Sequence, residues 1–330
     1  MTGYHEVVGQ EDVVGHFRKA IATGRVSHSY ILSGETGAGK KMLASAFAMA
    51  LQCDRREADP CGVCASCRKA MNGNHPDIIR IRHEKPGMIS IDEIRRQLVG
   101  DVTIRPYCGP RKIYLVDEAE KLTPQAQNAL LKTIEEPPEY AVILLLTGNT
   151  DALLPTIRSR CVKLELRPVS DAAVKKYLME RLQVPDYQAE LDASMARGNI
   201  GRAREIAASG EMLRLTETSL EILKKADGCE TGELAEIIRR LAEDRLHIGE
   251  YLELFRFWYR DVLLWKASGE QAPLMFRQEI PAIKKQAEER SYENLERILE
   301  ALEKTGVRLR ANVNFDLAME LLFLTVREKR

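Results

Sequence analysis

GETGAGK, residues 34–40, stands between Ser29–Ser33 (SYILS), a short apolar run, and Lys40–Leu51, a stretch rich in Ala, Met and Leu that reads as a helix. G-x-x-x-x-G-K between a strand and a helix is a phosphate-binding loop. Gly34, Gly37 and Gly39 let the backbone wrap a phosphate at a helix N-terminus, where amides and the helix dipole favour an anion. Lys40 then reaches the outer phosphates of a nucleotide. The next residue departs from the pattern. A hydroxyl there ligates magnesium in such loops, but here it is Lys41. An ammonium offers donors only and cannot coordinate a cation. Binding of ATP with Mg²⁺ therefore stays open, and efficient hydrolysis is not expected.

Working outward, Ile113-Tyr114-Leu115-Val116 reads as a buried strand that ends in Asp117-Glu118. In a nucleotide site Asp117 would help hold magnesium and Glu118 would orient the attacking water. Asp77–Ile81, Lys112–Val116, Ala141–Thr147 and Cys161–Leu166 are further strand candidates. Ser90-Ile91-Asp92-Glu93 is a capping box opening a helix to about Val99. Thr123 caps another, with Pro124 at its first position and Pro137-Pro138 stopping it near Glu136. Strands alternating with helices predict an α/β fold with a parallel sheet covered on both faces.

Cys53 precedes Cys61-x2-Cys64-x2-Cys67 in a short insertion after the first helix. Four thiolates so placed suit tetrahedral structural zinc, a staple with no open catalytic position. A redox pair, a free-thiol cluster or an iron–sulfur site are the alternatives. Cys108, Cys161 and Cys229 are isolated and read as buried or incidental thiols.

After Pro168 the character is helical. Ser170 caps a helix to about Leu182, Pro185 interrupts, a second helix reaches Arg197, and a third starts near Gly201. Beyond residue 210 nearly everything forms helix, with breaks at Asp227-Gly228, Gly269–Pro273, Ser291 and Gly306. Leu252, Phe255, Trp258, Tyr259, Val262 and Leu263 lie close to one helical stripe and read as packing between helices. The domains expected are 1–167, with the cysteine module near 53–67, then a three-helix lid over 168–209 and a helical domain over 210–330.

The chain has 330 residues, with 49 Lys and Arg against 49 Asp and Glu. Such a balance advertises no global basic field for nucleic acid, which argues against a zinc-dependent DNA-binding module. The basic edge Arg80, Arg82, His83 and Lys85 reads as solvated surface. No secretory signal or membrane-length apolar run is visible. A cytoplasmic location is expected, where seven cysteines point to metal ligands or thiols before disulfides.

Val7–Gln10 (VVGQ), GETGAGK, the four cysteines, Leu115–Leu122 (LVDEAEKL), Asn128–Pro138 (NALLKTIEEPP) and Ser159-Arg160-Cys161 occur in this order. Together they resemble the bacterial DNA polymerase III clamp-loader subunits of the AAA+ ATPase class, over essentially the whole chain. The resemblance implies an AAA+ domain, a lid and a collar that oligomerises. It also implies partners: gamma/tau-type and delta-type subunits in a hetero-pentamer, with the sliding clamp and primer-template DNA met through the complex. Motor-type members keep Ser or Thr after the loop lysine and an arginine where this chain has Gly201. Lys41 and Gly201 therefore point to the delta-prime type, with an active gamma/tau-type motor as the alternative. Chemistry alone makes Arg160 a partner of a helix C-terminus; the resemblance makes it an arginine finger acting on a neighbour's ATP. Thr147 and Asn149 both lie where the family places a phosphate-sensing side chain, and spacing does not choose between them.

Overall fold

Five strands make one parallel sheet in the order β2-β3-β4-β1-β5 in the computed structural model of the chain, which describes residues 3–85, 87–226 and 231–328. They are β1 (Ser29–Ser33), β2 (Ile78–Arg80), β3 (Lys112–Val116), β4 (Ala141–Thr147) and β5 (Val162–Glu165). The middle of the sheet is apolar without alternation because helices cover both faces. Every residue of β3 and β4 is buried, whereas edge strand β5 alternates. Ser33 pairs with Thr147 and Val116 with Leu145, so β1, β3 and β4 all end along one edge.

Around the sheet run α1 (Glu11–Ala22), α2 (Lys40–Leu51), α3 (Ala65–Met71), α4 (Ile91–Ile94), α5 (Pro124–Glu135) and α6 (Pro155–Arg158). The capping box forms as its residues predict: Glu93 N–H donates to Ser90 Oγ, and the Glu93 carboxylate accepts from Ser90 N–H. The helix it opens does not stay α-helical. It passes into a π-helical turn over Arg95–Val99, closed by Gly100 N–H to Arg95 O at 2.9 Å. Thr123 caps α5 above Pro124.

Two compact units result. The first runs through Val174 and takes back Arg197–Arg202; the second holds Lys175–Ala196 and everything from Ala203 onward. Its helices include α7 (Asp171–Leu182, entering at Lys175), α8 (Asp186–Ala196) and α9 (Ile200–Ser209, entering at Ala203). They continue with α10 (Glu211–Ala226), α11 (Thr231–Glu243), α12 (Ile248–Ser268), α13 (Ile280–Glu289), α14 (Tyr292–Arg310) and α15 (Phe315–Arg327). Trp258, Tyr251, Phe255 and Tyr259 of α12 are buried at the centre of this unit, as a helical stripe should be.

A buried guanidinium closes the bundle. Arg290 donates to the carbonyls of Val326 and Glu328 and to Asn294 Oδ1, and it lies over the Tyr259 ring. It thereby satisfies orphan carbonyls at the end of α15.

The break expected at Gly306 does not occur, because α14 runs through it to Arg310. Leu302 and Thr305 are buried on its inner face, and Thr305 Oγ1 donates to Ala301 O. Packing there outweighs the ~1 kcal/mol that glycine loses to alanine inside a helix. Cys229 and the break at Asp227-Gly228 lie outside the described residues. Among the described residues no helix is long and apolar enough to cross a membrane.

Candidate nucleotide pocket and cysteine cluster

Helix α2 joins two sites: the glycine loop precedes its first turn, and Cys53 follows its last. The loop leaves β1 at Gly34, whose N–H donates to Thr147 O (3.2 Å). Gly37 and Gly39 have φ of +88° and +99°, a backbone state that L side chains rarely adopt. Lys40 Nζ turns back onto its own loop, donating to the carbonyls of Gly34 and of Glu35 (2.8 Å). Burial pulls its pKa down.

Lys41 does what the sequence did not disclose. Its ammonium lies 2.6 Å from Asp117 Oδ2, on the carboxylate expected from the sequence to help hold a metal. Glu118, in the left-handed backbone region, pairs with Lys121 at 2.8 Å and lies 3.5 Å from His83. The hydrogen bond from Lys121 holds its pKa down. Both acids at the end of β3 thus have a cationic partner. A divalent ion does not fit this arrangement, since the position after Lys40 supplies a positive charge in place of a lone pair.

Two further residues act here without having been singled out for it. Asn199 Nδ2 donates to Thr36 O (2.7 Å), and the backbone N–H of Gly201 donates to Gly37 O (3.0 Å). This contact needs glycine at both ends. A Cβ on Gly201 would come within 2.6 Å of Gly37 Cα, and one on Gly37 within 2.5 Å of Asn199 Oδ1. Glycine at 201 is therefore a steric requirement of this packing.

Thr147 and Asn149 are both satisfied locally. Thr147 Oγ1 donates to Asn149 O, and Asn149 Oδ1 accepts from Asp151 N–H. Glu120 accepts from Gly148 N–H (3.2 Å) beside them. Gln10 binds the backbone of Arg167 in both directions, donating to its O (2.6 Å) and accepting from its N–H (3.1 Å). A groove of about 300 Å³ opens there, lined by Gly9, Gln10, Arg167, Val169 and Ser170 among others.

Arg160 follows α6 with its side chain 40% exposed. One nitrogen donates to Thr156 O (3.0 Å) and another pairs with Glu135 at the end of α5 (2.9 Å). Within this chain it is a partner of a helix C-terminus.

At the far end of α2 the sulfurs of Cys53, Cys61, Cys64 and Cys67 all lie within 4.8 Å of one another. Backbone N–H groups of Cys61, Cys64 and Cys67 donate to the sulfurs of Cys53, Cys61 and Cys64 at 3.3–3.4 Å. The N–H groups of Val63 and Cys64 bring the Cys61 thiol down to about 6, while burial pushes Cys53 and Cys67 up. Four clustered sulfurs with amide support fit one tetrahedrally held metal ion, which would cross-link the insertion. A bidentate ion pair from Arg18 to Asp59 (2.7 and 2.8 Å) ties the same insertion to α1. Cys108 is exposed and Cys161 half-buried, both apart from the cluster.

A glycine loop between β1 and α2, with acids ending β3 on the far side of β4, defines a P-loop fold. The family model described as "DNA polymerase III, delta subunit" matches residues 9–170. The chain is 30% identical over 287 residues to DNA polymerase III subunit tau of Bacillus subtilis, covering 80% of this chain and 50% of that protein. Subunit delta' of the same organism is 28% identical over 313 residues, covering 94% and 93%. Subunit delta' of Pseudomonas aeruginosa is 40% identical over 168 residues, half of each chain. The chain therefore belongs to the DNA polymerase III clamp-loader family. It spans about half the length of the tau relative.

Proposed function

We propose that the chain is a delta-prime-type, non-motor subunit of a clamp loader. It joins gamma/tau-type and delta-type subunits in a cytoplasmic hetero-pentamer that places a sliding clamp on primed DNA. The observation that carries this reading is the Lys41–Asp117 contact at 2.6 Å, which puts a side-chain cation where a motor needs magnesium. Steady-state ATP hydrolysis by the lone chain, with and without DNA, should be at background. Robust turnover abolished by Lys40→Ala would establish the rival reading, an active gamma/tau-type motor, which the match to tau favours.

Arg160 serves a neighbour in this scheme. Its pair with Glu135 is half exposed, and pairs of that kind are worth little, so a neighbour's phosphate can take it over. Arg160→Ala is expected to leave the fold intact and to lower ATP turnover of the reconstituted ring, where a finger contributes ~10³–10⁵ in rate. Unchanged turnover in a fully assembled ring removes the assignment. The four cysteines hold structural zinc, and metal analysis should find about one equivalent.

Residues 1–167 act as the AAA+ domain, 168–209 as the lid and 210–330 as the collar. An exposed stripe on α15 supports the collar role: Leu317, Leu321 and Leu324, spaced four and three apart, are 52%, 42% and 52% exposed. Contiguous exposed apolar side chains of this kind mark protein–protein contacts. Leu321→Glu should keep the monomer folded and weaken ring assembly in gel filtration.

A further inference from the structure

The loop residues and the metal that such loops ordinarily bind disagree, and the disagreement has a chemical consequence. We propose that Lys41 is a covalently attached replacement for the divalent ion, so that the loop takes the polyphosphate of ADP or ATP free of metal. The inference rests on reading this pocket as a non-hydrolysing nucleotide site.

A nucleotide polyphosphate in an ordinary loop needs positive charge at two places. One is the loop lysine; the other is the ion held by the following hydroxyl and an acid ending another strand of the sheet. Here the second place has its own charge. Lys41 occupies the hydroxyl's position in sequence and contacts the acid, Asp117, in space. No acidic residue in the first turn of α2 offsets Lys40 and Lys41. The Lys41 side chain is 73% exposed, so its head can swing from Asp117 to an arriving phosphate on a flexible four-carbon stem.

The rest of the pocket agrees. Glu118 is paired with Lys121, so the second acid does not invite a metal either. The bonds from Asn199 and Gly201 take carbonyl oxygens of Thr36 and Gly37, atoms that an anion does not use. Gly34 packs against Leu166, within one residue of Arg167 in the groove beside Gln10, where a nucleoside has room. Charge at Lys40 and Lys41, with a groove of mixed polar and apolar lining alongside that includes Val13, Pro168 and Val169, selects a nucleotide over a bare phosphate chain.

The test is calorimetric titration of the full chain with ADP, ATP and inorganic tripolyphosphate, each in EDTA and in magnesium. ADP and ATP should bind in EDTA within about twofold of their affinity in magnesium, and tripolyphosphate at least about tenfold more weakly. Lys41→Thr should bind about tenfold more tightly in magnesium than in EDTA, and Lys41→Ala should lose about tenfold in EDTA. Lys41 is exposed, so both variants should fold as the parent does, which circular dichroism verifies. Wild-type binding that appears only with magnesium overturns the inference. So does the absence of nucleotide binding in both buffers, or tripolyphosphate binding as tightly as ATP. ATP turnover by the lone chain would instead remove the non-motor reading, so the two failures are distinct.

Discussion

The two ends of α2 make opposite use of metal chemistry. At its C-terminal end, four sulfurs converge with amide groups donating to them, a donor set that suits a cation. At its N-terminal end, the ammonium of Lys41 follows the loop lysine and contacts the carboxylate of Asp117, a pairing that does not suit one. A metal site survives only while every ligand keeps its lone pairs. One nitrogen of the wrong kind suffices to end it, and the fold around it need not change.

The largest effect should come from breaking the intact end. Cys67→Ser removes a fully buried sulfur of the cluster, and the loss in unfolding free energy should be on the order of 4 kcal/mol, the range seen when a metal is lost. Denaturant titration with metal analysis checks this. Unchanged stability in a metal-free preparation would count against the staple. Next comes the clasp on the glycine loop. Gly201→Val puts a branched side chain against Gly37, and overpacking of this kind costs about 1–3 kcal/mol. Amide exchange at residues 36–39 should quicken, and wild-type rates would contradict the contact.

Lys41→Met sharpens the contrast from the other side. The ion pair it removes is largely exposed, so stability should change by less than about 1 kcal/mol. A larger loss would mean that the pair holds the fold and does more than fill the metal's place.

The smallest effect lies in the second unit, where a histidine meets two acids. His247 bridges Asp244 and Glu211, with Glu250 and Tyr251 nearby, and its hydrogen bond to Asp244 raises its pKa. Because the folded value lies above the unfolded one, its contribution is complete below pH ~6.5 and is lost as pH rises through the raised value. Melting temperature should therefore fall shallowly over that window, and His247→Gln should flatten the fall.

What could be read without coordinates was whatever depends on near neighbours. The β3 and β4 runs, the Ser90 and Thr123 caps, and the glycine loop between β1 and α2 all follow from local pattern. Gly306 misled because a local cost was set against tertiary packing that only the folded bundle provides. The partners of the site were not legible for the same reason. Lys41 meets Asp117, Gly37 meets Gly201 and Arg160 meets Glu135 only after the strands are ordered and the chain has returned. No periodicity encodes such meetings. What the sequence did expose was the odd residue at 41; its salt bridge had to be seen.

The guanidinium of Arg290 sets a limit on how short this polypeptide can be made. Its acceptors include the backbone oxygens of Val326 and Glu328, so a version trimmed at Leu324 would leave a cation enclosed without those acceptors. The final turn of α15 is thus part of the bundle's interior bonding, and a minimal fragment should keep Val326 and Glu328.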